Sequence, residues 1–113
     1  MTNKERLEIE IKNINLSENE KEIYLEESEL DPEEEYNPSS NNNKRNILKT
    51  ALSILESIAN DPAAMKNYKQ DDITVSQFSE NLQNRIDQLE RKIRQMSTTD
   101  NNNEDNFFML FDS

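Results

Sequence analysis

Residues 26–35 are rich in carboxylates, which are the first candidates for chemistry in this sequence. The seven acidic residues of this stretch are Glu26, Glu27, Glu29, Asp31, Glu33, Glu34 and Glu35. Carboxylate oxygens suit Ca²⁺, but the EF-hand loop needs acids at alternate positions followed by a Gly that permits its sharp turn. The stretch lacks that spacing, and the chain has no Gly. We therefore predict a solvated, self-repelling acidic surface here and no metal site.

Three residue types that serve many enzyme sites are missing, because the chain has no His, no Cys and no Gly. His is the commonest general base, Cys supplies thiolate ligands, and Gly lets a loop approach phosphate groups closely. Catalysis by paired carboxylates needs a folded cleft that fixes their separation, and a core this small offers none. The sequence predicts a protein that is not an enzyme, with no catalytic residue, cofactor or metal.

The charge of the chain is unevenly distributed. Residues 1–36 carry 13 acidic and 4 basic side chains, residues 43–96 carry 7 and 9, and the net charge is -11. This balance opposes direct nucleic-acid binding, which depends on basic residues that displace counterions. No apolar run approaches the roughly 20 residues of a membrane span, and the first residues lack the apolar core of a signal peptide. We expect an intracellular protein, cytoplasmic or nuclear, with no membrane span.

Two capping boxes predict a pair of short helices near the start of the chain. At residues 2–5 and 17–20, a Ser or Thr is followed three residues later by Glu, which is a helix-start pattern. The pair has little apolar surface, so we predict that residues 1–30 form a marginal acidic helical segment. Residues 31–45 are rich in acid, Asn and Ser and contain two prolines. This composition predicts a disordered linker.

Residues 46–97 give the strongest helical signal. Eight of the thirteen residues from 47 to 59 are apolar, which is a wider face than a surface helix needs. A further capping box at residues 74–77 predicts a second helix that ends at about residue 97. From Leu82 onward its apolar residues alternate at spacings of four and three, the heptad pattern of a coiled coil. The predicted packing residues are Leu48, Leu52, Leu55, Ile58, Leu82, Ile86, Leu89, Ile93 and Met96.

These elements predict an all-α fold, with a short helical hairpin or coiled-coil module at about 44–97. Two arrangements of this module stay open. Helix 47–59 folds back on helix 75–97 within one chain, or helix 75–97 forms a parallel coil with another chain in a homo- or hetero-oligomer. The two are compatible, because the 47–59 face is wide enough to serve both.

A compact apolar cluster follows a polar spacer within residues 98–113, a segment that we predict to be disordered. The cluster consists of Phe107, Phe108, Leu110 and Phe111. Each of these side chains contributes about 1.5–3 kcal/mol when it is buried in a groove. We predict a short linear motif that binds a partner protein. Docking of the cluster on the chain's own 47–59 helix is the alternative.

The tail resembles several known peptide motifs. Residues 108–111 resemble the Leu-Phe end of the clamp-binding peptides of bacterial and phage replication proteins, although Phe107 stands where that pattern has Gln. Residues 107–110, with acid upstream, resemble an autophagy-modifier-interacting motif, and acid interleaved with aromatics resembles an acidic activation segment. Each resemblance implies a different partner, and the sequence leaves the choice open.

Taken together, these patterns predict a non-enzymatic protein–protein interaction adaptor or a small subunit of a larger complex. Helices 47–59 and 75–97 would supply packing or oligomerisation, and the tail would bind a partner. The alternative is an acidic regulator that masks a basic, nucleic-acid-binding surface of a partner through residues 18–35. Such masking would weaken in high salt, because salt screens exposed charges.

Overall fold

The computed structural model describes the backbone of residues 1–104 and the side chains of residues 1–96. Within this part of the chain the fold is helical, which confirms the predicted all-α class. A 3-10 turn at Pro62–Ala64 precedes the fourth helix. The helices are α1 (Asn3–Glu10), α2 (Glu18–Glu27), α3 (Asn41–Ala59), α4 (Met65–Tyr68) and α5 (Val75–Glu104).

Side-chain caps start the helices at the predicted places. The Glu5 N–H donates to Thr2 Oγ1 at 3.2 Å, and the Thr2 N–H donates to the Glu5 carboxylate at 2.8 Å. Reciprocal bonds of the same kind occur at residues 17–20 and at residues 74–77. The caps satisfy N–H groups that have no acceptor within the helix. All three predicted helix starts are confirmed.

Helices α3 and α5 form the main packing interface of the chain. The core residues contributed by these two helices are Ile47, Leu48, Ala51, Ile54, Leu55, Ile58, Phe78, Leu82, Ile86 and Leu89. The heptad residues of α5 thus lie against α3 of the same chain, which is the hairpin arrangement. A coil with another chain would need the same heptad side chains, and it stays a prediction.

The N-terminal helices are part of the same core. Both α1 and α2 pack on α3, and Leu7 and Leu25 are fully buried at these contacts. Ile11 and Leu30 join the same cluster. The small joint apolar surface of α1 and α2 is therefore completed by α3, so the pair does not stand alone as a marginal unit.

Residues 31–45 differ from the predicted disordered linker. Helix α3 begins at Asn41, six residues before the apolar face, and Ser40 Oγ caps it by accepting the Asn43 N–H at 3.1 Å. Upstream, the buried Asn3 donates its backbone N–H to Glu34 O at 2.9 Å. Ser and Asn make caps and turns as readily as they make loops. Composition alone did not distinguish these uses, so the prediction was wrong for this segment.

The Lys4 ammonium joins α1 to α2 and to the segment that follows α2. Its Nζ lies 3.2 Å from Glu22, 3.3 Å from Glu18 and 3.5 Å from Glu33. Hydrogen bonds to Glu22 and Glu18 raise the pKa of Lys4 above its usual value. In turn, the hydrogen bonds from Lys21 and Lys4 lower the pKa of Glu18. Ionised Glu18 therefore favours the folded state.

We expect the stabilising effect of Glu18 to disappear in acid. Because its pKa is lower in the folded chain than the ordinary value of 4.5, the effect is present above that pH and is lost as the pH falls through the folded-state pKa. In urea unfolding followed by circular dichroism, Glu18→Gln should therefore be less stable than wild type at pH 7, and the difference should vanish in acid. Glu27→Gln, an exposed carboxylate of the same helix, is the control. A difference that is constant across this pH range would contradict the assignment.

Candidate partner-binding groove

An open groove of about 700 Å³ lies between the end of α1 and the first half of α5. We call it the α1–α5 groove. Its walls come from residues 9–14, from residues 70–73 before α5, and from residues 78–88 of α5. The apolar lining residues are Ile9, Ile11, Ile14, Leu55, Ile73, Phe78 and Leu82. The site is therefore built from segments that are far apart in the sequence.

The turn after α1 is fixed by hydrogen bonds to the end of α4. The Asn15 N–H donates to Tyr68 O at 2.8 Å, and Asn15 Nδ2 donates to Lys69 O at 3.0 Å. Ile14 lies next to this anchor and is half-buried. On the other side, the Thr74 cap fixes the first turn of α5. Both walls are thus held by hydrogen bonds made outside the groove.

The groove has a buried apolar floor and a partly exposed apolar rim. Phe78 and Leu82 form the floor and are almost inaccessible to solvent. Ile9 stands on the rim and is 50% exposed, while Ile14 and Ile73 are half-buried. A single exposed aliphatic side chain is common on protein surfaces. Here it adjoins an open apolar groove, so a bound side chain could cover both at once.

A carboxylate between two guanidinium groups forms part of the groove wall. Glu10 is only 8% exposed, and its second oxygen lies 2.8 Å from Arg6 of the same helix. Its other oxygen accepts a hydrogen bond from Arg85 of α5. Burial opposes the charge on Arg6, but the hydrogen bond and charge of Glu10 outweigh it and raise the pKa of Arg6. The cluster joins α1 to α5, and the Glu10–Arg85 pair, which lines the groove, carries no net charge.

The chemistry that the groove offers is apolar contact flanked by amides and paired charges. Within the side chains that the structure describes, no group of three or more acidic, His or Cys residues is placed to hold a metal ion. None of the helices in residues 1–104 is long and apolar enough to cross a membrane. Along the α5 wall, Asn81, Asn84 and Gln88 are exposed. Their amides can donate and accept hydrogen bonds.

Comparison with known proteins places the chain in a family. A family model matches residues 1–104, and the family is described as a family of unknown function, DUF6706. The chain belongs to this family. Comparison with curated proteins and with solved structures found no match. The DUF6706 match contains the whole α1–α5 groove and ends before residues 105–113.

The predicted packing residues lie within the DUF6706 region and take part in the core of the chain itself. Leu48, Leu55, Ile58, Leu82, Ile86 and Leu89 are buried. Leu52, Ile93 and Met96 are half-buried against the same cluster. These residues therefore hold α3 and α5 together, and most of their side-chain surface is buried within the chain.

The other predicted sites have different outcomes. The seven carboxylates from Glu26 to Glu35 are all exposed. The tail residues Phe107, Phe108, Leu110 and Phe111 lie outside the described residues. Sequence reasoning missed the groove, although one signal was present. Ile9 falls off the helical face formed by Leu7 and Ile11, so its exposure could have been anticipated.

Proposed function

We propose that this chain is a non-enzymatic adaptor or small subunit of a larger complex, and that it binds an apolar segment of a partner protein in the α1–α5 groove. One observation carries the proposal: Ile9 is half exposed beside an open groove whose floor is buried Phe78 and Leu82. Covering the exposed surface of Ile9 and of the half-buried Ile14 and Ile73 removes apolar area from water, which favours association. The groove volume lies within the range of typical ligand clefts.

The groove favours a peptide segment with one or two large apolar anchors. Recognition of this kind combines an apolar pocket for side chains with polar groups for the peptide backbone. Asn81, Asn84 and Gln88 line the α5 wall at spacings of three and four, so they share one helix face. Their exposed amides can bond to the backbone or polar side chains of the bound segment. The Glu10–Arg85 pair adds no net charge to this wall.

The tail provides a second contact in this proposal. It keeps the role predicted from its residues, a linear motif built on Phe107, Phe108, Leu110 and Phe111. Two weak contacts on one chain reinforce each other when both reach the same assembly, because the second then forms at a high effective concentration. The α3–α5 hairpin serves as the scaffold that presents both.

We expect Ile9→Asp to lose the partner while the chain stays folded. The substitution places a charge on the groove rim, where a bound segment would have to desolvate it. Ile23→Asp is the matched control, because Ile23 is also an exposed isoleucine, 46% against 50%, and does not line the groove. The dissociation constant for the partner protein, measured by calorimetry, should rise at least tenfold for Ile9→Asp and stay near the wild-type value for Ile23→Asp. Equal effects of the two variants on binding would rule out the groove as the partner site.

A second function is favoured by the acidic surface. All seven carboxylates from residue 26 to residue 35 are exposed, although Glu33 already pairs with Lys4 and Glu35 with the N-terminal ammonium. An acidic regulator of this kind would bind less tightly as salt rises, because exposed charges are screened. Binding in the apolar groove should change little over the same salt range. Measuring affinity at low and high salt with the Ile9→Asp variant therefore separates the two functions.

A further inference from the structure

A second cleft, of about 360 Å³, lies between α1, the start of α3 and residues 92–96 of α5. We call it the basic cleft. It is lined by Arg6, Tyr36, Asn41, Lys44, Leu48, Lys92 and Met96. None of these residues is acidic and three are cationic, in a chain whose net charge is -11. Arg6 is already paired with Glu10, so Lys44 and Lys92 supply the positive charge that is available in the cleft. The cleft thus attracts an acidic segment.

The basic cleft also contains apolar surface. Leu48 is buried at its base, and Tyr36 and Met96 are half-buried at its sides. The Arg6 guanidinium lies over the Tyr36 ring, 5.4 Å from its centroid. Methionine side chains are adaptable and pack well against aromatic rings. An occupant that combines acid with aromatic side chains would match both properties of the cleft.

The tail of the same chain has this combination. Residues 97–113 carry four acidic side chains and no basic one, and they include three of the four Phe residues of the chain. The charges of tail and cleft are therefore complementary. The cleft volume lies at the lower end of typical ligand clefts. It admits part of the apolar cluster at 107–111 rather than all of it.

The tail is long enough to reach the basic cleft. Helix α5 ends at Glu104, eight residues after Met96, which is about 12 Å along the helix axis. An extended chain covers about 3.4 Å per residue, so Phe107 can reach at most about 10 Å from Glu104, Phe108 about 14 Å and Phe111 about 24 Å. If the chain reverses direction after Glu104, residues 108–111 can therefore reach Met96, whereas Phe107 cannot.

The α1–α5 groove is a poor site for this tail, because it lies too far from the end of α5. Gln88 is the groove residue nearest to the end of α5, and it lies about 24 Å back from Glu104 along the helix. Phe111 would reach it only at full extension, and Phe78 at the far end of the groove lies beyond reach. The basic cleft is thus the site that the tail of the same chain can occupy.

We propose that residues 108–111 dock in the basic cleft of their own chain, with apolar side chains against Leu48 and Met96 and the flanking acids near Lys44 and Lys92. This contact holds the partner-binding motif on the folded domain until a tighter binder takes it. The inference goes beyond the adaptor function, because it concerns the chain alone. Its test needs no partner, so the two can fail separately.

A spin label at the end of the tail tests this docking directly. The chain has no Cys, so Ser113→Cys gives a single attachment site. The label broadens NMR signals of nearby amides. We expect broadening at Lys44 and Lys92 to be several-fold stronger than at Arg94, which lies about 200° around α5 from Lys92. Equal broadening at Lys92 and Arg94 would mean an undocked tail and would overturn the proposal.

Two controls complete the experiment. Reversing both cleft lysines, Lys44→Glu with Lys92→Glu, should abolish the asymmetry, whereas Lys49→Glu with Lys66→Glu changes the net charge equally and should preserve it. Raised salt should reduce the asymmetry without any substitution. Mixing spin-labelled chain with separate isotope-labelled chain detects docking between copies. Strong broadening in that mixture would overturn docking within one chain.

Discussion

Leu89→Ala should lower the free energy of unfolding by about 2–5 kcal/mol, the range for a fully buried leucine. Leu89 is completely inaccessible to solvent and belongs to the cluster that α3 and α5 share. Truncation removes apolar burial and leaves a cavity that neighbouring side chains fill only in part. Urea unfolding followed by circular dichroism measures the loss.

Arg91→Ala is the control on the same helix, because Arg91 is exposed. We expect its effect to stay within about 0.5 kcal/mol. Sedimentation of both variants separates the hairpin from a coil between chains. If Leu89→Ala kept wild-type stability but reduced the mass of an oligomer, the heptad residues of α5 would pack between chains. The hairpin arrangement would then be wrong.

Glu10→Gln should destabilise the fold by about 2 kcal/mol. The substitution leaves Arg6 and Arg85 facing each other without a carboxylate. Breaking a fully buried ion pair costs about 3–5 kcal/mol. The effect here should be smaller, because the Arg85 side chain is 34% exposed and solvent screens its charge. Urea unfolding at pH 7 gives the value.

Glu8→Gln is the matched control for this ion pair. Glu8 pairs with Lys21 of α2 at 3.0 Å, but its side chain is 41% exposed. An exposed pair contributes up to about 1 kcal/mol. A double-mutant cycle of Glu10→Gln with Arg85→Ala should show that the two residues are coupled. If the effects of the two substitutions were simply additive, the contact would not stabilise the joint between α1 and α5.

The parts of the fold that sequence predicts well are those set by local interactions. A capping box involves four consecutive residues, so the starts of α1, α2 and α5 can be read at Thr2, Ser17 and Thr74. The same holds for apolar periodicity, which placed the buried faces of α3 and α5. These signals need no knowledge of the rest of the molecule.

Non-local contacts account for what sequence reasoning missed. Glu10 contacts Arg85, which lies 75 positions away in the chain, and no local sequence pattern at either residue indicates this contact. The α1–α5 groove is lined by these two residues and lies next to the anchor of Asn15 at the end of α4. Asn3 is a further case. This polar residue can be buried because its side chain donates a hydrogen bond to Asp31 O and accepts one from Asn43.

The heptad pattern shows why partner choice is hard to read from sequence. Spacings of four and three in α5 specify an apolar stripe, and any matching apolar face can cover it. In this chain the wide face of α3 does so. The stripe therefore predicted packing correctly and left the identity of the packing partner undecided, which only the tertiary arrangement resolves.

Site-specific photo-crosslinking in the cell of origin tests most directly whether the α1–α5 groove binds a partner protein. A photo-reactive amino acid replaces Ile9 on the groove rim or, in the control, the equally exposed Ile23. We expect one dominant protein adduct from position 9, lost when Ile14→Asp is added, and no such adduct from position 23. The same adduct from both positions, or none from position 9, would contradict the assignment of this groove as the binding site.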